Sequence, residues 1–122
     1  MGLTFTVEHR GGYSVVRVDG EPTLDEFLAF VKTVGQQSHG WPAPRALVDL
    51  RSIRSLKSFT EHYAIGEVVG RELGHLRKVA SVVPGDRITR ASEKRAQHAG
   101  VNLTVFTAER EAIDWLTAEL AR

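Results

Sequence analysis

Asp19, Asp49, Asp86 and Thr107 each close a segment that reads as a β-strand. In open α/β sheets ligands collect beyond the carboxyl ends of the strands, so the three carboxylates would meet at one rim. Such a rim could offer Mg²⁺ the oxygen ligands it prefers, or supply a general acid and a general base. A plainer reading has each Asp closing its strand as a turn or cap residue, a position that short polar side chains favour in any protein. We adopt the plainer reading and expect no metal and no cofactor.

Other chemistries are poorly provided for. The chain has no cysteine, which excludes thiolate nucleophiles, disulfides and cysteine-ligated metals. Its five histidines, His9, His39, His62, His75 and His98, show no ligand spacing and read as surface residues. No glycine-rich phosphate loop follows any strand, and no Ser lies in a glycine-flanked nucleophile elbow. An enzyme is therefore not expected; the alternative is a small-ligand or Mg²⁺-dependent enzyme built on the aspartate rim.

Arg87, Arg90, Lys94 and His98 recur at helical spacing and form a basic stripe. Glu93 lies beside it and no aromatic residue interleaves for stacking on bases, so a solvated helix face is expected rather than a nucleic-acid site. The whole chain supports this, since 16 basic and 15 acidic residues leave a net charge of +1. The first residues lack the pattern of a signal peptide and no apolar run approaches the length of a membrane span, so a cytoplasmic protein without membrane insertion is expected.

The elements that must position these residues follow from periodicity. Leu3, Phe5 and Val7 alternate with Thr4, Thr6 and Glu8, and Tyr13–Val18 follows across Gly11 and Gly12, which predicts a hairpin. Thr23–Glu26 has the form of a capping box, opening a helix that buries Leu24, Phe27, Leu28, Val31 and Val34, with Phe30 at the margin, and ends near Gly35. Trp41 folds back from a Pro- and Gly-containing connection onto apolar surface.

Ala46–Val48 predicts a short buried strand ending at Asp49, and Ser58–Glu61 a second capping box that starts a helix reaching about Leu73. Strands at Val79–Val83 and Asn102–Phe106 are each followed by a helix, the last capped by Thr107. Residues 1–122 thus predict one α/β domain: a mostly parallel five-stranded sheet with an antiparallel N-terminal edge strand, and four helices.

The second helix is unusual. Gly66, Gly70 and Gly74 recur every four residues, each interior glycine costing about 1 kcal/mol relative to alanine. Close packing of this helix on the sheet would compensate. Ile65, Val68 and Val69 then exceed what one buried stripe requires, and they are expected to serve a protein partner or a homodimer contact.

The strand ending Val18-Asp19-Gly20, the string Ala46-Leu47-Val48-Asp49-Leu50 and the run from Val105-Phe106 to Ala112-Ile113-Asp114-Trp115-Leu116 resemble the SpoIIAA-like branch of the STAS superfamily. The resemblance implies a SpoIIAA-like βα superhelix and a non-enzymatic regulatory module that binds a protein or ligand. It also implies a phosphorylatable serine opening the helix after the third strand, a place taken here by Ser58. Lys57, Phe59 and Thr60 depart from that family motif, and Lys57 with Arg54 would offer positive charge to a phosphate at Ser58. Local physics reads Ser58 as a helix cap.

Overall fold

The computed structural model of the chain describes residues 2–53, 62–84, 97, 98 and 100–118, with the backbone alone at 62–64. Strands β1 (Leu3–Arg10) and β2 (Tyr13–Gly20) form the expected antiparallel hairpin, with Arg10 opposite Tyr13. Gly11, at φ 61°, occupies the first central position of the two-residue turn, where a positive φ favours glycine. Helix α1 (Leu24–Ser38), β3 (Arg45–Ile53), α2 (His62–Leu73), β4 (Lys78–Val82), β5 (Leu103–Phe106) and α3 (Glu109–Thr117) follow.

The strand order is β1-β2-β3-β4-β5. The sheet is antiparallel between β1 and β2 and parallel elsewhere, with β1 at an edge, as the sequence predicts. Three helices, not the expected four, occur among the described residues. The helix expected to carry Arg87, Arg90 and Lys94 lies outside them, apart from Gln97 and His98, which are helical. No described helix is long and apolar enough to cross a membrane.

Each face of the sheet has its own core. Val16 and Val18 of β2, Val48 and Leu50 of β3, and Leu103 and Val105 of β5 pack with α1 and α2. The residues between them in the pleat, Val15, Leu47, Ala80 and Val82, pack with Ala112 and Leu116 of α3 on the opposite face. Among the described residues, a helix pair, a sheet and a single helix thus form three layers.

The capping box opens α1 as predicted: Thr23 Oγ1 accepts from the Glu26 amide at 3.2 Å, and Glu26 Oε1 accepts from the Thr23 amide at 2.8 Å. Two details of this helix differ from expectation. Its buried stripe turns toward Phe30, whose ring meets Phe5 of β1 edge-on at 5.1 Å, leaving Leu24 and Leu28 half-buried. The helix also runs past Gly35 to Ser38, because Gly35 is a crossing point and not a stop. A Cβ there would lie 2.7 Å from the Glu72 carbonyl oxygen, so only glycine lets α1 approach α2 this closely.

Strand β3 is longer than predicted. It continues through Asp49 to Ile53 because β2 remains beside it to its end, with a bulge between Arg17 and Asp19. Asp49 therefore lies within a strand. Trp41 packs against the α1 side of the core, with its ring 5.8 Å from that of His9.

Candidate functional site

Alternation along β2 and β3 sends Val15 and Leu47 into the core under α3, and the same period brings Arg17, Asp49 and Arg51 to the same face. Arg17 and Asp49 are register partners. Glu109, the first residue of α3, descends onto them. Arg17 donates to Asp49 Oδ2 at 2.9 Å and grips both Glu109 oxygens, at 2.9 and 3.1 Å. Arg51 donates to both Asp49 oxygens at 2.9 Å and to Glu109 Oε1 at 2.8 Å, and its backbone amide adds a fourth bond to Asp49 Oδ1 at 3.1 Å.

Two cations and two anions thus neutralise one another. Hydrogen bonds and charge from Arg17, with a further contribution from the Arg51 charge, lower the Glu109 pKa against the opposing effects of burial and the Asp49 charge. Burial pushes the Asp49 carboxyl up, but its bonds to Arg51 and Arg17 outweigh this and hold it below its ordinary value. Both carboxylates stay ionised at neutral pH. Neither can give a proton, and each is already occupied by guanidinium, so the network suits positioning and recognition rather than acid–base chemistry. The arginine side chains remain 39% and 40% exposed, against 13% for Asp49, so the network opens toward solvent on its basic side.

The opposite end of α3 is held by the opposite charge. Lys78, buried at the start of β4, donates from Nζ to the Trp115 carbonyl oxygen at 2.9 Å and lies 4.8 Å from the centre of its indole ring. An acid at the first turn and a lysine on a carbonyl of the last turn both complement the helix dipole. The expected cap, Thr107, makes no such bond: the N-cap is Ala108, without a side-chain hydrogen bond, and the Glu109 carboxylate turns to the arginines.

Of the three rim aspartates, Asp19 and Asp49 are among the described residues. Asp49 faces α3 and binds Arg17 and Arg51, Asp19 is exposed beyond the bulge in register with Ser52, and Asp86 lies outside the described residues. No group of three His, Asp or Glu side chains among the described residues could hold a metal ion.

The residues proposed for a partner contact separate in the same way. Ile65, Val68 and Val69 are 6–8% exposed and belong to the core, which corrects the expectation of spare apolar surface. Helix α2 needs a broad apolar face because it packs against the sheet and against α1 at once. Arg54, Lys57 and Ser58 lie outside the described residues.

The histidines are exposed where described, but two of them form a pair that spacing did not reveal. The His39 and His75 rings stack at 3.7 Å where α1 and α2 end, and His75 Nε2 lies 2.7 Å from the Oγ of buried Ser38. Burial, and secondarily the His39 charge, push the His75 pKa down.

Sequence alone did not single out Arg17, Arg51 and Glu109. The period-two continuation Asp49-Leu50-Arg51 was the available signal, obscured by reading Asp49 as a strand end.

The fold is shared with solved structures. A crystal structure of an anti-sigma factor antagonist from Mycobacterium paratuberculosis superposes with a TM-score of 0.64 at 20% identity, covering 94% of each chain. An uncharacterized protein with a SpoIIAA-like fold from Shewanella loihica gives a TM-score of 0.57 at 21% identity, again covering 94% of each chain. No curated protein matches the chain closely enough to count as a relative. The sequence of residues 14–117, from the second residue of β2 to the end of α3, matches the model of the SpoIIAA-like family, and the chain belongs to that family.

Proposed function

We propose that this chain is a non-enzymatic regulatory module that acts in the cytoplasm by binding a protein partner. The observation that carries this reading is the state of the two carboxylates at the best-defined polar site: Asp49 and Glu109 are each bound by two guanidinium groups, which leaves neither free for metal or proton transfer. Membership of the SpoIIAA-like family and the likeness of fold to an anti-sigma factor antagonist support the same direction. The regulatory position we propose is Ser58, in the segment that follows β3, where Lys57 and Arg54 supply positive charge. As the cap of the helix expected to open at Ser58–Glu61, its substitution by alanine should cost about 1 kcal/mol.

The test uses the full chain isolated from its native cells. Wild type, Ser58→Ala and Ser58→Asp are compared for the protein they retain, and Ser58 is examined for phosphate. A defined partner retained by wild type supports the module, and its loss in Ser58→Asp alone, with phosphate found on Ser58, supports a switch. Saturable Mg²⁺ binding by calorimetry that disappears in Asp49→Asn would overturn the reading in favour of a metal-dependent enzyme.

A further inference from the structure

Strand β1 is paired on one side only among the described residues. Which backbone groups face outward follows from the hairpin. A two-residue turn closes on a hydrogen-bonded pair, here Arg10 and Tyr13, and such pairs alternate with non-bonded ones. The amides and carbonyls of Thr4, Thr6, Glu8 and Arg10 therefore point to β2, whereas those of Leu3, Phe5, Val7 and His9 point away from the sheet. The edge runs for eight residues with an unbroken register to β2 and no proline. It has no bulge and no proline, and its two formal charges, Glu8 and Arg10, are paired with each other.

The side chains of Leu3, Phe5 and Val7 pack against the α1 side of the core yet are only partly buried, forming an apolar row beside the outward-facing backbone. We infer that this edge is a docking site for a second copy of the chain, pairing β1 with β1 antiparallel about a two-fold axis at Thr6. This inference goes beyond the regulatory reading and does not depend on it.

The register is decided by self-complementarity. With Thr6 opposite Thr6 of the second copy, the outward groups match as Leu3 with His9 and Phe5 with Val7, so all four outward residues of each strand are used. Centring on Phe5 leaves His9 unmatched, and centring on Val7 leaves Leu3 unmatched. Centring on Glu8 sets two carboxylates opposite each other, which is unfavourable. At the Thr6 register Glu8 faces Thr4, and its charge is already met within its own strand by Arg10 at 2.7 Å. The Phe5–Val7 pairs are of the aromatic and β-branched kind that stabilises cross-strand contacts.

The chain has no cysteine, so single cysteines can be placed cleanly. Thr6 would face its own copy in a non-hydrogen-bonded pair, within reach of a disulfide, whereas Thr4 would face Glu8. The full chain is examined by sedimentation equilibrium across a concentration series, with Thr6→Cys and Thr4→Cys compared for dimer cross-linking under mild oxidation. Val7→Pro removes one outward amide without touching the ladder to β2, and circular dichroism checks that it remains folded. The expected result is a wild-type dimer, rapid cross-linking at position 6 and at least ten-fold slower cross-linking at position 4, with a folded Val7→Pro shifted to monomer. If Val7→Pro does not fold, the comparison of the two cysteine variants decides. Equal cross-linking at both positions overturns the inference. So does a chain monomeric at every concentration, whether its edge is empty or holds a peptide of another protein.

Discussion

Arg17 of β2 and Glu109 of α3, 92 residues apart in sequence, are joined by two hydrogen bonds of 2.9 and 3.1 Å. The bidentate contact fixes the entry of α3 onto the sheet, and Lys78 on the Trp115 carbonyl fixes its exit. Between these two charged contacts only Ala112 and Leu116 of this nine-residue helix are fully buried. The two charged contacts thus set how α3 is placed, over an apolar face to which Ile113 and Trp115 also contribute.

Arg17→Met with Glu109→Gln, measured singly and together by chemical denaturation, should give a coupling energy of about 0.5–1 kcal/mol. Exposed ion pairs supply no more than this, and the partial burial and bidentate geometry place it toward the upper end. Asp49→Ala should cost more, about 1.5–3 kcal/mol. It removes the least exposed member of the network and leaves both guanidinium groups to share one carboxylate.

Local patterns made most of the fold legible. The Thr23–Glu26 capping box, the Gly11–Gly12 hairpin and the alternation of strands with helices each depend on residues near one another in sequence, and each is present. What remained hidden depends on meetings between distant elements. Phe30 is buried because Phe5 comes from β1, Gly35 is required because Glu72 comes from α2, and His39 finds His75 only where two helices end together. The breadth of Ile65, Val68 and Val69 was visible, but a second helix covering the same face was not, so the excess looked like an interface.

Stability should fall with acid in two separable windows. His75 is held below its ordinary pKa in the folded chain, so the unfolded chain binds its proton more readily. Its contribution is full above about pH 6.5 and is lost as pH falls through the lower folded value. Asp49 and Glu109 are depressed likewise, so their contribution is full above about pH 4.5 and is lost as pH falls further. Denaturation midpoints measured from pH 8 to pH 3 should show both declines. His75→Gln should flatten the first alone and Glu109→Gln part of the second alone; an unchanged upper window in His75→Gln would refute the histidine assignment.

Gly35→Ala tests which of two opposed effects prevails. Alanine favours the helix by about 1 kcal/mol, but its Cβ would lie 2.7 Å from the Glu72 carbonyl oxygen and 2.9 Å from the Glu72 Cβ. The nearest obstacle is backbone and cannot rotate away, so α1 and α2 must separate at a cost of about 1–3 kcal/mol. The variant should be destabilised overall, by up to about 2 kcal/mol in thermal or chemical unfolding. A variant more stable than wild type would show that the crossing has slack.

Val68→Lys distinguishes an inner position from an interface. Val68 is 8% exposed and lies in the cluster shared by α1, α2 and the sheet, so a lysine there must bury its charge or force the helix outward. The expected loss is several kcal/mol, about 3–5, enough to leave much of a marginally stable domain unfolded. Unfolding by circular dichroism should therefore accompany any change in molecular mass. Val68→Lys that remains as stable as wild type while converting a dimer to monomer would place Val68 at the subunit contact, and would argue against pairing through β1 as well.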